Sequence, residues 1–162
     1  MEWIPISEET YPQVAKIYAE GLETKIATFE TTVPDWEYWN ASHHQFARIS
    51  LQEKGKLLGW ASLSPVSKRK VYNGVAEVSI YVASHARGKG VGKKLLGKLI
   101  EISEEHNIWT LQSGIFKDNE ASIQLHKNCG FRVIGYREKV GKLDGKWLDN
   151  VLLERRSKVI GI

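Results

Sequence analysis

Val75-Ala76-Glu77-Val78-Ser79-Ile80-Tyr81-Val82, followed after Ala83–Ala86 by Arg87-Gly88-Lys89-Gly90-Val91-Gly92-Lys93-Lys94, is the stretch on which the fold turns. Alternation in the first run puts Val78, Ile80 and Val82 on one face and Glu77, Ser79 and Tyr81 on the other, the pattern of a half-buried strand. Beyond the glycines, Val91, Leu95, Leu99 and Ile102 recur at helical spacing, with Leu96 alongside, until His106-Asn107 ends the run. Strand, glycine turn and amphipathic helix therefore stand in sequence. Glycines accept positive φ and let backbone approach a ligand closely, and the free N–H groups of a helix start point outward with the positive end of the dipole. The turn reads as an anion cradle. It is not a P-loop, because Arg87 stands where the first glycine is needed and Lys94 where Ser or Thr is needed. Nor is it a dinucleotide fingerprint, because Lys93 or Leu95 occupies the third glycine position, counted from Gly88 or from Gly90.

On the N-terminal side, Val14, Ile17, Tyr18 and Leu22 mark a first helix after a cap at Ser7 or Thr10. Pro34 suits the start of a second, which carries Trp36 and Trp39 towards Phe46. Phe46 to Leu51 and Leu57 to Leu63 are strand-like runs about the polar turn Gln52–Lys56 and should pair antiparallel. On the C-terminal side, Ile108 to Phe116 reads as a strand, and Asp118 or Asn119 caps a short helix that reaches Asn128 and leaves through Gly130. Phe131 to Val140 and Lys146 to Glu154 flank Leu143-Asp144-Gly145, a hairpin signal. The expected fold class is mixed α/β, with a mostly antiparallel central sheet flanked by helices.

With 162 residues, 42% hydrophobic and 26% charged, the chain fits one domain over residues 1–162, and disordered and collagenous classes drop out. No run approaches the ~20 apolar residues of a membrane span, so no membrane association is expected. The single cysteine, Cys129, forms no internal disulfide, and the first residues lack a basic and an apolar leader region, so a reducing cytoplasm is the expected location. The net charge of +4 suits an anionic small ligand, nucleic acid or nothing specific. Between Ala83 and Ile100, however, the chain carries Arg87, Lys89, Lys93, Lys94 and Lys98 and no acidic residue, so the surplus is local to the cradle. No basic stripe interleaved with aromatics points to nucleic acid. His43 and His44 are adjacent, which turns their side chains apart, and no metal is expected.

R-G-x-G-x-G at the end of such a strand resembles the pyrophosphate loop of the GNAT superfamily of N-acetyltransferases. Asn119-Glu120-Ala121-Ser122-Ile123-Gln124-Leu125-His126-Lys127-Asn128-Cys129-Gly130-Phe131 is similar to that family's helix and turn beside the pantetheine arm. Thr24 to Thr31, together with Arg69-Lys70-Val71-Tyr72-Asn73 before Ala76-Glu77-Val78-Ser79, resembles the branch that acetylates phosphinothricin and methionine sulfoximine. The resemblance runs from about Ile4 to Leu153 and implies a GNAT fold. It also implies acetyl-CoA as co-substrate, a small-molecule amine acceptor, direct transfer in a ternary complex and a homodimer.

Carried onto this sequence, the resemblance implies that Arg87, Gly88, Lys89, Gly90, Val91, Gly92, Lys93, Asn119 and Ser122 hold the cofactor. The backbone of Ile80, Tyr81 and Val82, where a β-bulge splays the strand, polarises the carbonyl. An acceptor ammonium must shed a proton, which a carboxylate or imidazole assists. Glu77 fits that role, and its alternative is a solvated strand residue. His126 stands where many members carry a tyrosine, as acid or as orienting group. The resemblance gives Phe29, Thr31, Arg69, Tyr72 and Ser79 to the acceptor, with Arg69 gripping a carboxylate. Asn73 departs from the basic residue usual in the branch after that tyrosine. Cys129 as an acetyl carrier lacks an activating neighbour. The alternatives are transfer to a protein N-terminus, polyamine or aminoglycoside, and a CoA-binding module without catalysis.

Overall fold

Thr10 hands the chain into the first helix, and the elements follow in the order the patterning implies, with one strand added. The computed structural model describes residues 1–162. Its elements are β1 (Glu2–Pro5), α1 (Tyr11–Glu23), α2 (Trp36–Ser42), β2 (Ile49–Glu53), β3 (Lys56–Pro65), β4 (Val75–Val82), α3 (Val91–Glu105), β5 (Thr110–Phe116), α4 (Glu120–Asn128), β6 (Arg132–Leu143) and β7 (Lys146–Arg156). The strands form one seven-stranded sheet in the order β1-β2-β3-β4-β5-β7-β6. All neighbours run antiparallel except β4 and β5, which are parallel.

β1 has no counterpart in the sequence reading, because four residues ending in a proline show no period. It exists through its pairing with β2, from Glu2↔Gln52 to Pro5↔Ile49. The second helix stops at Ser42, short of Phe46, since His43 is already extended (φ −115°, ψ 150°). Buried Arg48 explains the stop. Its Nη2 donates to the carbonyls of Asn40 (2.7 Å) and His43 (2.9 Å), and its Nε donates to that of His44 (2.6 Å), so carbonyls at and just beyond the end of α2 find a cation instead of another turn. Ala47, at φ +56°, then breaks the Phe46–Leu51 run, and the strand begins only at Ile49.

α1 and α3 cover opposite faces of the sheet. Tyr81 lies beneath Gly21 of α1, whereas Val82 and Gly59 lie against Gly92 and Leu95 of α3, so the alternation of β4 sorts its side chains as expected. A single hydrophobic cluster of 27 buried residues joins both faces, with Trp39, Trp60, Leu95, Leu96 and Leu99 fully enclosed. At ~25 cal/mol per Å² of apolar surface removed from water, burial on this scale is the main stabilising term.

What positions the site is the parting of β4 from β5. They pair only over Val75↔Thr110, Ala76↔Leu111 and Glu77↔Gln112, after which Ser113–Phe116 remain paired to β7 while Val78–Val82 remain paired to β3. No register shift interrupts β4 on either side, so the expected bulge is absent and the splay comes from divergence of the two strands. The backbone groups that would have closed the ladder are left facing the gap.

Candidate active site

Backbone alternation identifies which amides face that gap. The Ala83 amide donates to Leu58 O on the β3 side (2.8 Å), and Gly74 O accepts from Thr110 N on the β5 side (3.0 Å). Strand geometry then sends the N–H groups of Ile80 and Val82 toward the missing β5 neighbour and that of Tyr81 into the β3 ladder. Of the three amides expected to serve the carbonyl, Ile80 and Val82 are therefore available and Tyr81 is not. Tyr81 contributes its ring instead, stacked on Tyr18 (4.8 Å) and Trp60 (5.0 Å) as a rigid wall.

A cleft of about 450 Å³ runs from these amides to the start of α3. Gly90 caps that helix at φ +76° with no side-chain hydrogen bond, so the first N–H groups of α3 stay free. A Cβ on Gly88 or Gly90 would meet nothing within 4 Å, so these glycines are required by their positive φ and not by crowding. Arg87 and Lys93 line the same cleft. Free amides, a helix dipole and two cations suit a pyrophosphate, and the apolar Ile26, Ala27 and Leu125 along the remainder suit a flexible arm.

A second cavity of about 380 Å³ adjoins the first along β4 and shares Ala27, Ile80, Tyr81, Asn119 and Ser122 with it. Glu77, Ser79, Phe29 and His126 line it. His126 is 1% exposed, and its Nδ1 lies 2.7 Å from Ser122 O. A carbonyl only accepts, so Nδ1 carries the proton and Nε2 presents a lone pair. No protein group partners Nε2, and Phe131 packs edge-on to the ring at 5.0 Å. Burial holds the His126 pKa below its usual value, a pull only partly countered by the Ser122 bond, so the ring is neutral at pH 7. A neutral imidazole whose buried Nε2 lone pair has no partner in the protein can accept a proton but has none to donate there.

Most of the residues singled out in the sequence converge here. Ile80, Tyr81, Val82, Arg87, Gly88, Gly90, Val91, Gly92, Lys93, Asn119 and Ser122 line the first cleft. The Asn119 side chain also caps α4, accepting from Ser122 N at 3.3 Å. Lys89 does not line the cleft: it is exposed between two glycines at φ +73° and +76°, whose turns carry it outside. Thr31, Arg69 and Tyr72, expected at the acceptor, do not line the second cavity. Thr31 is exposed, and Arg69 lies over the Tyr72 ring at 5.3 Å on the short turn before β4, at the end of the strand remote from the splay. Cys129 lines neither cleft, and burial raises its thiol pKa. Residues not foreseen include Gly21 on the first cleft and Tyr18, Glu30, Gly114 and Asn150 on the second cavity. Gly114 inside a strand and Asn150 before Val151-Leu152-Leu153 were the available signals, since both interrupt an apolar strand pattern.

The model of the acetyltransferase (GNAT) family matches residues 11–131. The chain belongs to that family. GNAT relatives include a phosphinothricin N-acetyltransferase of Alcaligenes faecalis, 33% identical over 93% of this chain and 79% of its own length. An L-methionine sulfoximine/L-methionine sulfone acetyltransferase of Pseudomonas aeruginosa is 30% identical over 88% of this chain and 87% of its own. Among solved structures, a ribosomal-protein-alanine N-acetyltransferase of Brucella melitensis superposes with a TM-score of 0.88 at 31% identity, covering 97% of this chain and all (100%) of the other. A phosphinothricin acetyltransferase of Sinorhizobium meliloti in complex with acetyl-CoA gives 0.85 at 27% identity over 96% and 87%. This GNAT protein is thus an acetyl-CoA-dependent N-acetyltransferase. No helix is long and apolar enough to cross a membrane, and no group of three or more His, Cys, Asp or Glu side chains could hold a metal ion.

Proposed function

We propose that this enzyme moves the acetyl group of acetyl-CoA directly onto the α-amine of a small amino-acid-like acceptor of the phosphinothricin and methionine sulfoximine type, both substrates being bound together. The observation that carries the reading is the meeting of two clefts at Ile80, where a free backbone donor, Glu77 and His126, whose buried Nε2 has no partner in the protein, line a common space. Bound acetyl-CoA supplies a thioester carbonyl open to attack by an amine. The chain's part is to hold that carbonyl on the Ile80 and Val82 amides, to hold the phosphates on the Gly88–Lys93 loop, and to relieve the acceptor ammonium of its proton. His126 Nε2 takes that proton, directly or through a water, and Glu77 holds the ammonium beforehand and offers the path to solvent.

Within this acceptor class the lining favours a neutral side chain over an anionic one. The ionised side chains on the acceptor cavity are Glu30 and Glu77, and no lysine or arginine lines it. An added anion there would meet two carboxylates without a counter-charge, so a sulfoximine or sulfone fits better than a phosphinate.

The enzyme acts, in this reading, as a single domain over residues 1–162 and as a homodimer. Exposed Val133, Ile134, Tyr136, Val140 and Trp147 on the β6–β7 hairpin support the dimer. A reducing cytoplasm agrees with the free thiol of Cys129. The test is CoA-thiol release over a panel of amine acceptors. Glu77→Gln and His126→Ala should each lower kcat by about a hundredfold, the usual scale for a general base. Absence of acetyl-CoA binding in calorimetry, or turnover untouched by both substitutions, would refute the reading.

A further inference from the structure

The acceptor cavity continues, past Glu77, Ser113, Gly114 and Asn150, into a smaller hollow of about 200 Å³ whose far wall carries Arg137. Sheet pairing explains how a residue of the last strand arrives there. Arg137 of β6 stands opposite Asn150 of β7, which stands opposite Phe116 of β5, while Gln112 of β5 stands opposite Glu77 of β4. Paired side chains share a face, so Glu77, Gln112, Asn150 and Arg137 all lie on the side of the sheet that α1 covers. Gly114 leaves the space between them open, because a Cβ there would come within 3.1 Å of Asn150 Nδ2.

The hollow thus has a carboxylate on one flank and a guanidinium on the other, and the two do not pair, since Arg137 takes no part in any of the four ion pairs of the chain. It is also the only lysine or arginine on either the acceptor cavity or this extension. Between the charges, Asn150 Oδ1 is a buried acceptor without a partner. A buried acceptor of this kind asks for a donor from outside the chain. The backbone of β6 is fixed where it delivers Arg137. Its register shifts between Arg137 and Gly141, and Asp149 ties down the shifted segment by accepting from Lys139 N (2.7 Å) and from the Tyr136 hydroxyl.

We infer that Arg137 and Asn150 form the head-group clamp of the acceptor: the Arg137 guanidinium binds the carboxylate beside the reacting amine, and Asn150 Oδ1 accepts from the amine itself. The clamp rests on the acetyltransferase reading and adds to it the residues that distinguish an amino acid from a bare amine. It takes over the carboxylate role that sequence resemblance gave to Arg69, which lies outside the cavity.

The test compares methionine sulfone with its decarboxylated counterpart, 3-(methylsulfonyl)propylamine, in CoA-release assays of wild type, Arg137→Ala and Arg137→Lys. Acetyl-CoA calorimetry on each variant checks that the fold and cofactor cleft are intact. Arg137→Ala should lower kcat/KM for the amino acid about tenfold more than for the amine, mainly through KM, and Arg137→Lys should recover part of the difference. Equal losses on both acceptors, or none on either, overturn the clamp while leaving the acetyltransferase intact. Calorimetric titration of methionine sulfone onto the CoA-bound protein separates the two ideas. Arg137-dependent binding without CoA release would sink the proposed reaction and keep the clamp.

Discussion

Gly21 is where helix propensity and tertiary packing disagree most sharply, and replacing it with alanine sets one against the other. It lies in α1, where alanine is favoured over glycine by at most about 1 kcal/mol. A Cβ at this position, however, would lie 2.6 Å from both Cδ1 and Cε1 of Tyr81, about 1 Å inside ordinary carbon contact. Tyr81 has little room to yield, being stacked against Tyr18 and Trp60, and Trp60 is fully buried. Overpacking of this kind costs about 1–3 kcal/mol, so packing should win by up to about 2 kcal/mol. For a chain of this length that lowers Tm by roughly 2–4 °C for each kcal/mol, readable by calorimetric melting. Gly21 and Tyr81 both line the cofactor cleft, so KM for acetyl-CoA should rise as well. An unchanged or higher Tm together with an unchanged KM would mean that the ring is free to move, and the account of Tyr81 as a fixed wall would fall.

Gly90→Ala forces a side chain into φ +76° at the cap of α3, a strain of about 1–2 kcal/mol with no clash. Acetyl-CoA affinity by calorimetry should drop about tenfold, whereas the same change at Gly97, within α3 and open to space, should leave it intact. Gly141→Ala would bring a Cβ to 2.8 Å from the Phe29 ring, so KM for the acceptor should rise while KM for acetyl-CoA holds; movement of both together would count against Phe29 as an acceptor wall. Methionine sulfone should be turned over faster than phosphinothricin, its anionic near-isostere, and Glu30→Gln should narrow the gap; equal rates would dismiss the charge argument. Burial lowers the folded-state pKa values of His43, His44 and His126 below 6.5, so under acid conditions the unfolded chain binds more protons than the native one. Stability should therefore fall as pH drops below about 6.5 and level off below the folded-state values, with a shallower fall in His126→Phe, as urea midpoints at several pH values would reveal.

The cofactor side of the enzyme was legible because its chemistry is local. Gly88, Gly90 and the start of α3 are neighbours in the chain, and positive φ, free N–H groups and basic side chains follow from residue identity within a few positions. Strand β4 was equally plain, since alternation over Val75–Val82 is both a strand signal and a face assignment. The acceptor side was not, because its walls come from α1, the Thr28–Glu30 loop, β5, α4 and β7 at once. Arg69 and Arg137 illustrate the difference. Both are basic residues in polar surroundings, and nothing adjacent to either in sequence says which one reaches the cavity. The short 3-10 turn at Lys70–Tyr72 carries Arg69 away onto Tyr72, and the order β5-β7-β6 carries Arg137 in.

By itself, then, the sequence determined the strand, the glycine turn and the helix that follow one another from Val75 to Glu105, and with them the family. Short-range sterics and hydrogen-bonding needs suffice for those. Tertiary structure alone decided that β4 parts from β5 by divergence without a bulge, and that Ile80 and Val82 rather than Tyr81 offer their amides. It also left His126 Nε2 without a partner beside that gap. Each of these depends on what a distant strand does or fails to do for a backbone or ring nitrogen, and hydrogen-bond satisfaction across a sheet is a property of pairing that no local run of residues contains.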